Sequence, residues 1–317
     1  MLFAPRAALR CRATGIKEEN VKILVFGSYN IDKVYALPHL PERGEMLTSG
    51  SLETHVGGKG LNQALALKKA GADVVVAGMV GEDGAFLTDY LTRSGVCAEE
   101  IGVAAVPTGH AVIGIDPQGR NQMIIFGGAN RAVTEQYCDD VLAKHGDADL
   151  LLTQYETACV EYMLRRAHEK GIATAVNPSP YVDAVRDLPY ACIDWLILNE
   201  DEGQRITGKT DEDEIARALF ALGGSRVILT LGSRGALYYD GETTMKTPAF
   251  AVNAVDTTGA GDTFTGYSLF ALLSGQSPQE ALRIAAAAAA IAVTKKGAAE
   301  TIPDRAQTEA FLKERQT

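Results

Sequence analysis

Short apolar runs alternate along this chain with longer stretches of helical period. Residues 21–26 form a nearly continuous apolar run that stops at Gly27, and residues 74–80 form a second. Residues 150–153, 174–176, 195–198 and 227–231 are four more, each after a helical stretch. Such runs lack the in–out alternation of a half-exposed strand, so they read as strands buried on both faces. Residues 61–70 follow a glycine-rich turn and read as a helix. The alternation predicts βαβ units and a mainly parallel sheet between two helical layers, a three-layer α/β/α fold.

Two segments break the rhythm. Residues 33–56 carry Pro38, Pro41, Gly44 and Gly50 among alternating polar and apolar positions. Residues 103–126 alternate about a Pro117-Gln118-Gly119 turn. Both read as antiparallel strands, together a small β-sheet lid on a single domain spanning residues 21–317. A lid excludes water and completes a site on closure. Residues 211–214 read as the acidic first turn of a helix, and the alanine run 285–290 as a closely packed helix.

Composition narrows the class. Of 317 residues, 46% are hydrophobic and 22% charged, which excludes a disordered chain or a collagen-like one. The formal charge of −10 disfavours nucleic acid and anionic membranes as partners, so an anionic ligand needs positive potential built locally. Five cysteines at wide, irregular spacing point to a reducing compartment and away from structural zinc. No apolar run approaches the ~18 residues of a membrane span, and a cytoplasmic location is expected. Residues 1–17 contain Arg6, Arg10, Arg12 and Lys17 but no acid. That composition suits a transit peptide as well as a flexible extension over residues 1–20, so an organelle-targeted form stays open.

Three constellations carry chemistry. Asp256-Thr257-Thr258-Gly259-Ala260-Gly261-Asp262 precedes an apolar helical run. Small residues there let backbone approach a ligand, and the unpaired N–H groups of a first turn with the helix dipole suit a phosphate. Asp262 is either the cap of that helix or a base; the residue type allows both. Gly57-Gly58-Lys59-Gly60-Leu61-Asn62-Gln63 again precedes a helix, and its density of polar groups suits a polyol. Gly27-Ser28-Tyr29-Asn30-Ile31-Asp32 ends the first strand, with Asn30 and Asp32 on one face of an extended segment. Gln154-Tyr155-Glu156, Asn199-Glu200-Asp201-Glu202 and the Gly-bearing turn from Thr230 to Gly235 end three further strands. Helix capping is the plain reading of Asn199 to Glu202, and a hairpin turn that of Thr230 to Gly235.

On these motifs the chain resembles the ribokinase-like, PfkB-type carbohydrate kinases over nearly all of residues 21–317. The glycine-lysine and D-T-x-G-A-G-D signatures occur in order, and G-G-K-G-x-N-Q-A is the form typical of ribokinases. The resemblance implies that Asn30, Asp32, Gly58, Lys59, Asn62 and Glu156 hold a sugar, most simply D-ribose. It makes Asp262 the base for the sugar's O5 hydroxyl, and Gly259, Ala260 and Gly261 the anion hole. Asn199, Thr230, Gly232, Ser233 and Gly235, with Gly261, match ATP-contacting positions. Glu202 matches a residue linked to Mg²⁺ through water. Asp256, Thr258, Ala292, Lys295, Gly297 and Thr301 match the ligands of a K⁺ loop, mostly backbone carbonyls, with Thr301 in place of a more usual Ser. A homodimer joined through the lids is also implied. Deoxyribose, another pentose or a nucleoside are the alternative acceptors. A non-catalytic sugar or nucleotide sensor is a third reading, against which the retained Asp262 counts.

Overall fold

The computed structural model describes residues 21–315; the readings made for residues 1–17 lie outside them. The chain begins with β1 (Lys22–Phe26), β2 (Asn30–Ala36), β3 (Ser51–Gly57), α1 (Lys59–Ala70), β4 (Asp73–Gly81), α2 (Ala85–Arg93) and β5 (Cys97–Ala104). It continues through β6 (Gly109–Ile115), β7 (Asn121–Phe126), α3 (Glu135–Lys144), β8 (Leu150–Gln154), α4 (Val160–Glu169), β9 (Ala173–Asn177) and β10 (Trp195–Asn199). The last third holds α5 (Glu200–Thr207), α6 (Glu212–Gly223), β11 (Arg226–Thr230), β12 (Ala236–Tyr239), β13 (Thr244–Thr247), α7 (Ala260–Leu273), α8 (Pro278–Ala292) and α9 (Arg305–Glu314).

Nine strands form the main sheet in the order β13-β12-β11-β10-β9-β8-β1-β4-β5. From β11 to β5 all pairings are parallel. The apolar runs supply this region, and β8 is buried at every residue. One core layer packs α1, α2, α7 and α8 on the sheet through residues such as Leu65, Leu87, Leu269 and Leu282. The other packs α3, α4 and α6 through Leu142, Met163 and Leu219. Helix α7 is buried without a break from Asp262 to Ala271, which explains its unpatterned apolar sequence. The alanine run lets α8 lie close beside it; Ala285 to Ala288 are all buried. Asp211 caps α6 through the amides of Asp213 and Glu214, with the acidic turn where the dipole favours it.

A second, four-stranded sheet has the order β3-β2-β6-β7. Its two hairpins, β2–β3 and β6–β7, are antiparallel, but β2 and β6 pair in parallel. Its bounds also differ from the sequence reading. Strand β2 starts at Asn30, before residue 33. Residues 103–104 belong to β5, which extends the main sheet in parallel to β4. The shift has a physical cause: Asp83 in the turn after β4 accepts from the Thr108 amide at 2.8 Å and from its hydroxyl at 2.6 Å. That clamp delays the departure into the lid to Gly109. The antiparallel edge β12–β13 has little apolar signal in β13, whose sequence is TMKT.

Candidate active site

Strand β1 lies between β8 and β4, and the chain leaves it in opposite directions on the two sides. Such a switch point opens a crevice at the carboxyl ends of the strands. There the Ser28 hydroxyl donates to Glu156 Oε2, which also accepts from the Lys59 amide at 3.2 Å. The loops after β1 and β8 and the start of α1 are thereby joined.

The entry to α1 is shaped by glycine. Gly58 is the N-cap at φ 95°, and a Cβ there would fall 2.6 Å from the Ser28 carbonyl oxygen. Opposite, a Cβ on Gly57 would fall 2.2 Å from Asp32 Oδ2, so the Asp32 carboxylate lies on that bare backbone. Burial, with Glu156 nearby, pushes the Asp32 carboxyl up to about 6, against a lowering by His55. Asn30 is buried, and its Oδ1 accepts from Asn130 Nδ2 at 2.8 Å. Asn130 Oδ1 in turn accepts from the Tyr29 amide at 3.0 Å.

Helix α7 opens beside this pocket. Its N-cap is Gly259, at φ 74°, and no side chain caps it. Asp262 is therefore not the cap but lies one turn inside, at the third helical position. Its Oδ2 accepts from Asn62 Nδ2 at 3.1 Å and its Oδ1 from Gln63 Nε2 at 2.9 Å. The carboxylate is thus held by side chains of α1 and not by the first amides of α7, of which that of Ala260 donates to the Thr257 carbonyl at 3.2 Å. Asn62 Oδ1 is buried without a partner. A buried unpaired acceptor is costly, and a ligand hydroxyl would satisfy it.

From Asp262 a cleft of about 220 Å³ runs along the strand ends. Lys59, Asn199, Glu202, Thr230, Gly259, Gly261 and Asp262 line it. Asn177, Ser179 and Thr257 line it too, and the sequence reading gave them no role. Their signal was a polar residue closing an apolar strand run, or a place inside a motif already noted. Gln63 and Gln154 stood inside motifs already noted but had no role of their own, and Asn130 carried no signal at all, because a buried amide has no spacing pattern. Burial alone would lower the Lys59 ammonium, but the carboxylates of Asp262, Glu156 and Glu202 outweigh it and raise its pKa. Lys59 is therefore the positive group of the cleft, standing between its two halves.

Asn199 and Glu202 close a capping box on α5, the Glu202 amide donating to Asn199 Oδ1 at 2.8 Å. Capping and a place on the cleft wall coexist there. Gly232 and Ser233 lie exposed in the turn after Thr230, beyond the cleft lining. Gly235 is buried where β12 begins, and a Cβ on it would fall 1.9 Å from the Thr247 carbonyl oxygen. Its glycine is explained by backbone packing.

The pfkB family carbohydrate kinase profile matches residues 20–305. The chain belongs to that family. The ribokinase of Haemophilus influenzae is 35% identical to it over 300 residues, covering 92% of this chain and 98% of the relative. A structure of Arabidopsis thaliana ribokinase complexed with ribose and ATP superposes with a TM-score of 0.85 at 34% identity, covering 92% of this chain and 98% of that one. A deoxyribokinase of Salmonella typhi is 30% identical, covering 92% of this chain and 98% of the relative.

In this carbohydrate kinase the loops matched to a cation site meet behind the α7 entry. Asp256 Oδ1 accepts from the amide and hydroxyl of Thr258 at 2.9 and 2.7 Å, and its Oδ2 from the Gly297 amide at 3.0 Å. These bonds hold the Asp256 carboxyl below its usual range despite partial burial. The Lys295 amide donates to the Ala292 carbonyl, and the buried Thr301 hydroxyl to the Ala298 carbonyl at 2.8 Å. Among the described residues no three His, Cys, Asp or Glu gather as for a metal ion. An oxygen-rich loop of carbonyls, hydroxyls and one carboxylate suits a weakly hydrated monovalent ion. The Glu202 carboxylate on the cleft wall suits Mg²⁺ that arrives with phosphates and keeps its waters.

Proposed function

We propose that this protein is a ribose kinase that transfers the γ-phosphoryl group of ATP to O5 of D-ribose, giving ADP and D-ribose 5-phosphate. The observation that carries the reading is the Asp262 carboxylate, held by Asn62 and Gln63 between a polyol pocket and a glycine-lined helix entry. The sugar lies in the first half, against Asn30, Asp32, Gly58, Lys59, Asn62 and Glu156. Asn62 Oδ1 is free to accept a sugar hydroxyl. The nucleotide lies along Asn199 and Thr230 towards Gly232, Ser233 and Gly235, with its terminal phosphate over Gly259, Ala260 and Gly261.

Phosphoryl transfer asks chiefly for in-line placement and charge stabilisation. The first amides of α7 and the Lys59 ammonium supply positive potential in an acidic protein. Asp262 accepts the hydroxyl proton as the oxygen attacks phosphorus. Mg²⁺, reached through water from Glu202, would neutralise the phosphates, and K⁺, held by Asp256, Thr258, Ala292, Lys295, Gly297 and Thr301, would stiffen the backbone of the anion hole.

A homodimer belongs to the same reading. Strand β7 is exposed along its whole length, and Ile124 remains 68% exposed. An apolar edge strand of that kind invites pairing with a second copy. A cytoplasmic location also belongs to it, supported by free Cys97, Cys138, Cys159 and Cys192. ATP turnover measured across D-ribose, 2-deoxyribose, other pentoses and adenosine tests the acceptor. The reading expects the highest kcat/KM with ribose. A nucleoside preference, or no turnover with any acceptor, would overturn it, and a deoxyribose preference would move it to the chemistry named for the Salmonella relative.

A further inference from the structure

Resting on that reading, we propose that Gln63 is a positioning residue of the reaction: with Gln154 behind it, it anchors Asp262 Oδ1 so that Oδ2 takes the proton from the sugar. Gln63 and Gln154 are both fully buried. Gln63 Nε2 donates to Asp262 Oδ1 at 2.9 Å and to Asn177 Oδ1 at 3.0 Å. Gln154 Nε2 donates to Gln63 Oε1 at 2.6 Å.

The direction of every amide follows from chemistry. An ionised carboxylate only accepts, so Gln63 must offer it the NH₂ group, and its carbonyl then faces Gln154. Gln154 must answer with its own NH₂ group. Asn177 accepts from Gln63 because its NH₂ group is spent on the Ile197 carbonyl at 2.9 Å. Each member thereby dictates the next, from the ends of β8 and β9 and the middle of β10 to the start of α1.

The two oxygens of Asp262 are not equivalent. Oδ1 meets Gln63, which is sealed from solvent. Oδ2 meets Asn62, which faces the start of the sugar-binding loop and whose own Oδ1 is unpaired, as is Gln154 Oε1 at the far end of the chain. In the transfer the O5–H proton passes to Oδ2, O5 bonds to the γ-phosphorus, and the bond to the β,γ-bridging oxygen breaks with its electron pair leaving on ADP. Gln63 keeps the carboxylate from rotating as this happens.

The test is steady-state kinetics on Gln63→Met, Gln154→Met and the double variant, with melting temperature and ATP-binding stoichiometry measured on the same samples. Gln63→Met is expected to lose about 10–10² in kcat per ATP-binding site, the usual scale for a displaced reacting group, with the ribose KM within about threefold. Gln154→Met, which leaves the Gln63 contact in place, is expected to lose less. The double variant is expected to be no worse than Gln63→Met, since both act through one chain. Full kcat in Gln63→Met, a loss confined to KM, or losses that multiply in the double variant would overturn the proposal. Absence of ribose-dependent ATP turnover in the parent protein would instead overturn the function itself, so the two failures are distinct.

Discussion

Two glycine-rich loops open the two helices of the site, and they are built for different neighbours. Gly58, before α1, is pressed on protein: its missing side chain makes room for the Ser28 carbonyl, and its φ of 95° excludes a Cβ on its own account. Gly261, in the first turn of α7, has nothing within 4 Å of where a Cβ would be. A helix gains from alanine over glycine, so an unpacked helical glycine bears a cost that packing does not explain. The space beside it lies on the cleft. On the proposed function, the first loop is glycine-rich so that the protein can fold around the sugar pocket, and the second so that a phosphate can come near.

The comparison predicts where substitutions act. Asp262→Asn, at the second loop, is expected to keep the fold and lose about 10²–10⁴ in kcat, the span of a missing general base. Circular dichroism with turnover at saturating ribose and ATP checks it, and turnover near the parent value would remove Asp262 from its role. Gly261→Ala is expected to leave the melting temperature unchanged or slightly raised while kcat falls by about 10², because the methyl group stands where the anion hole needs bare backbone. A full-rate Gly261→Ala enzyme would erase the contrast between the loops. Gly58→Ala is expected to do the opposite and destabilise the protein by about 1–3 kcal/mol through backbone strain and the Ser28 contact. Chemical denaturation measures it; an unperturbed midpoint would show that the first loop has slack.

The sequence reading went furthest where one physical pressure acts on consecutive residues. Strands β1, β8, β10 and β11 were legible because burial on both faces leaves an uninterrupted apolar run. The entry to α7 was legible because small residues stand directly before a long apolar run. The role of Asp262 was open, since capping and base catalysis ask for the same side chain. In the fold Gly259 is the cap and the carboxylate turns to Asn62 and Gln63. The lid boundaries slipped for a similar reason: alternating residues are shared by β5 and β6, and the Asp83–Thr108 clamp that divides them is a contact between distant positions. Gln63, Gln154 and Asn177 come from α1, β8 and β9, so their hydrogen-bonded chain has no spacing to read.

The smallest effect expected is one of pH, and it belongs to the first loop. The Asp32 carboxyl, lying on the bare backbone of Gly57, is raised to about 6 by burial and by Glu156. On the proposed function it accepts from the sugar, and only the ionised carboxylate is a pure acceptor. The ribose KM is therefore expected to be flat above pH 7 and to rise by up to about tenfold per unit below pH 6, the slope of a single protonation. Folding stability runs the other way. A carboxyl raised in the folded state holds its proton over the window between the ordinary carboxylate value and about 6, where the unfolded chain has lost it. Its contribution to stability is present at the acid end of that window and lost as pH rises through about 6. Asp32→Asn removes both dependences, weakening ribose binding at pH 8 while flattening the pH dependence of KM and of the melting temperature in this window. Retention of the acid limb in that variant would assign it to another group. The second loop should stay silent throughout: Gly261→Ala, with Asp32 intact, is expected to show the same rise in KM at low pH at its reduced kcat.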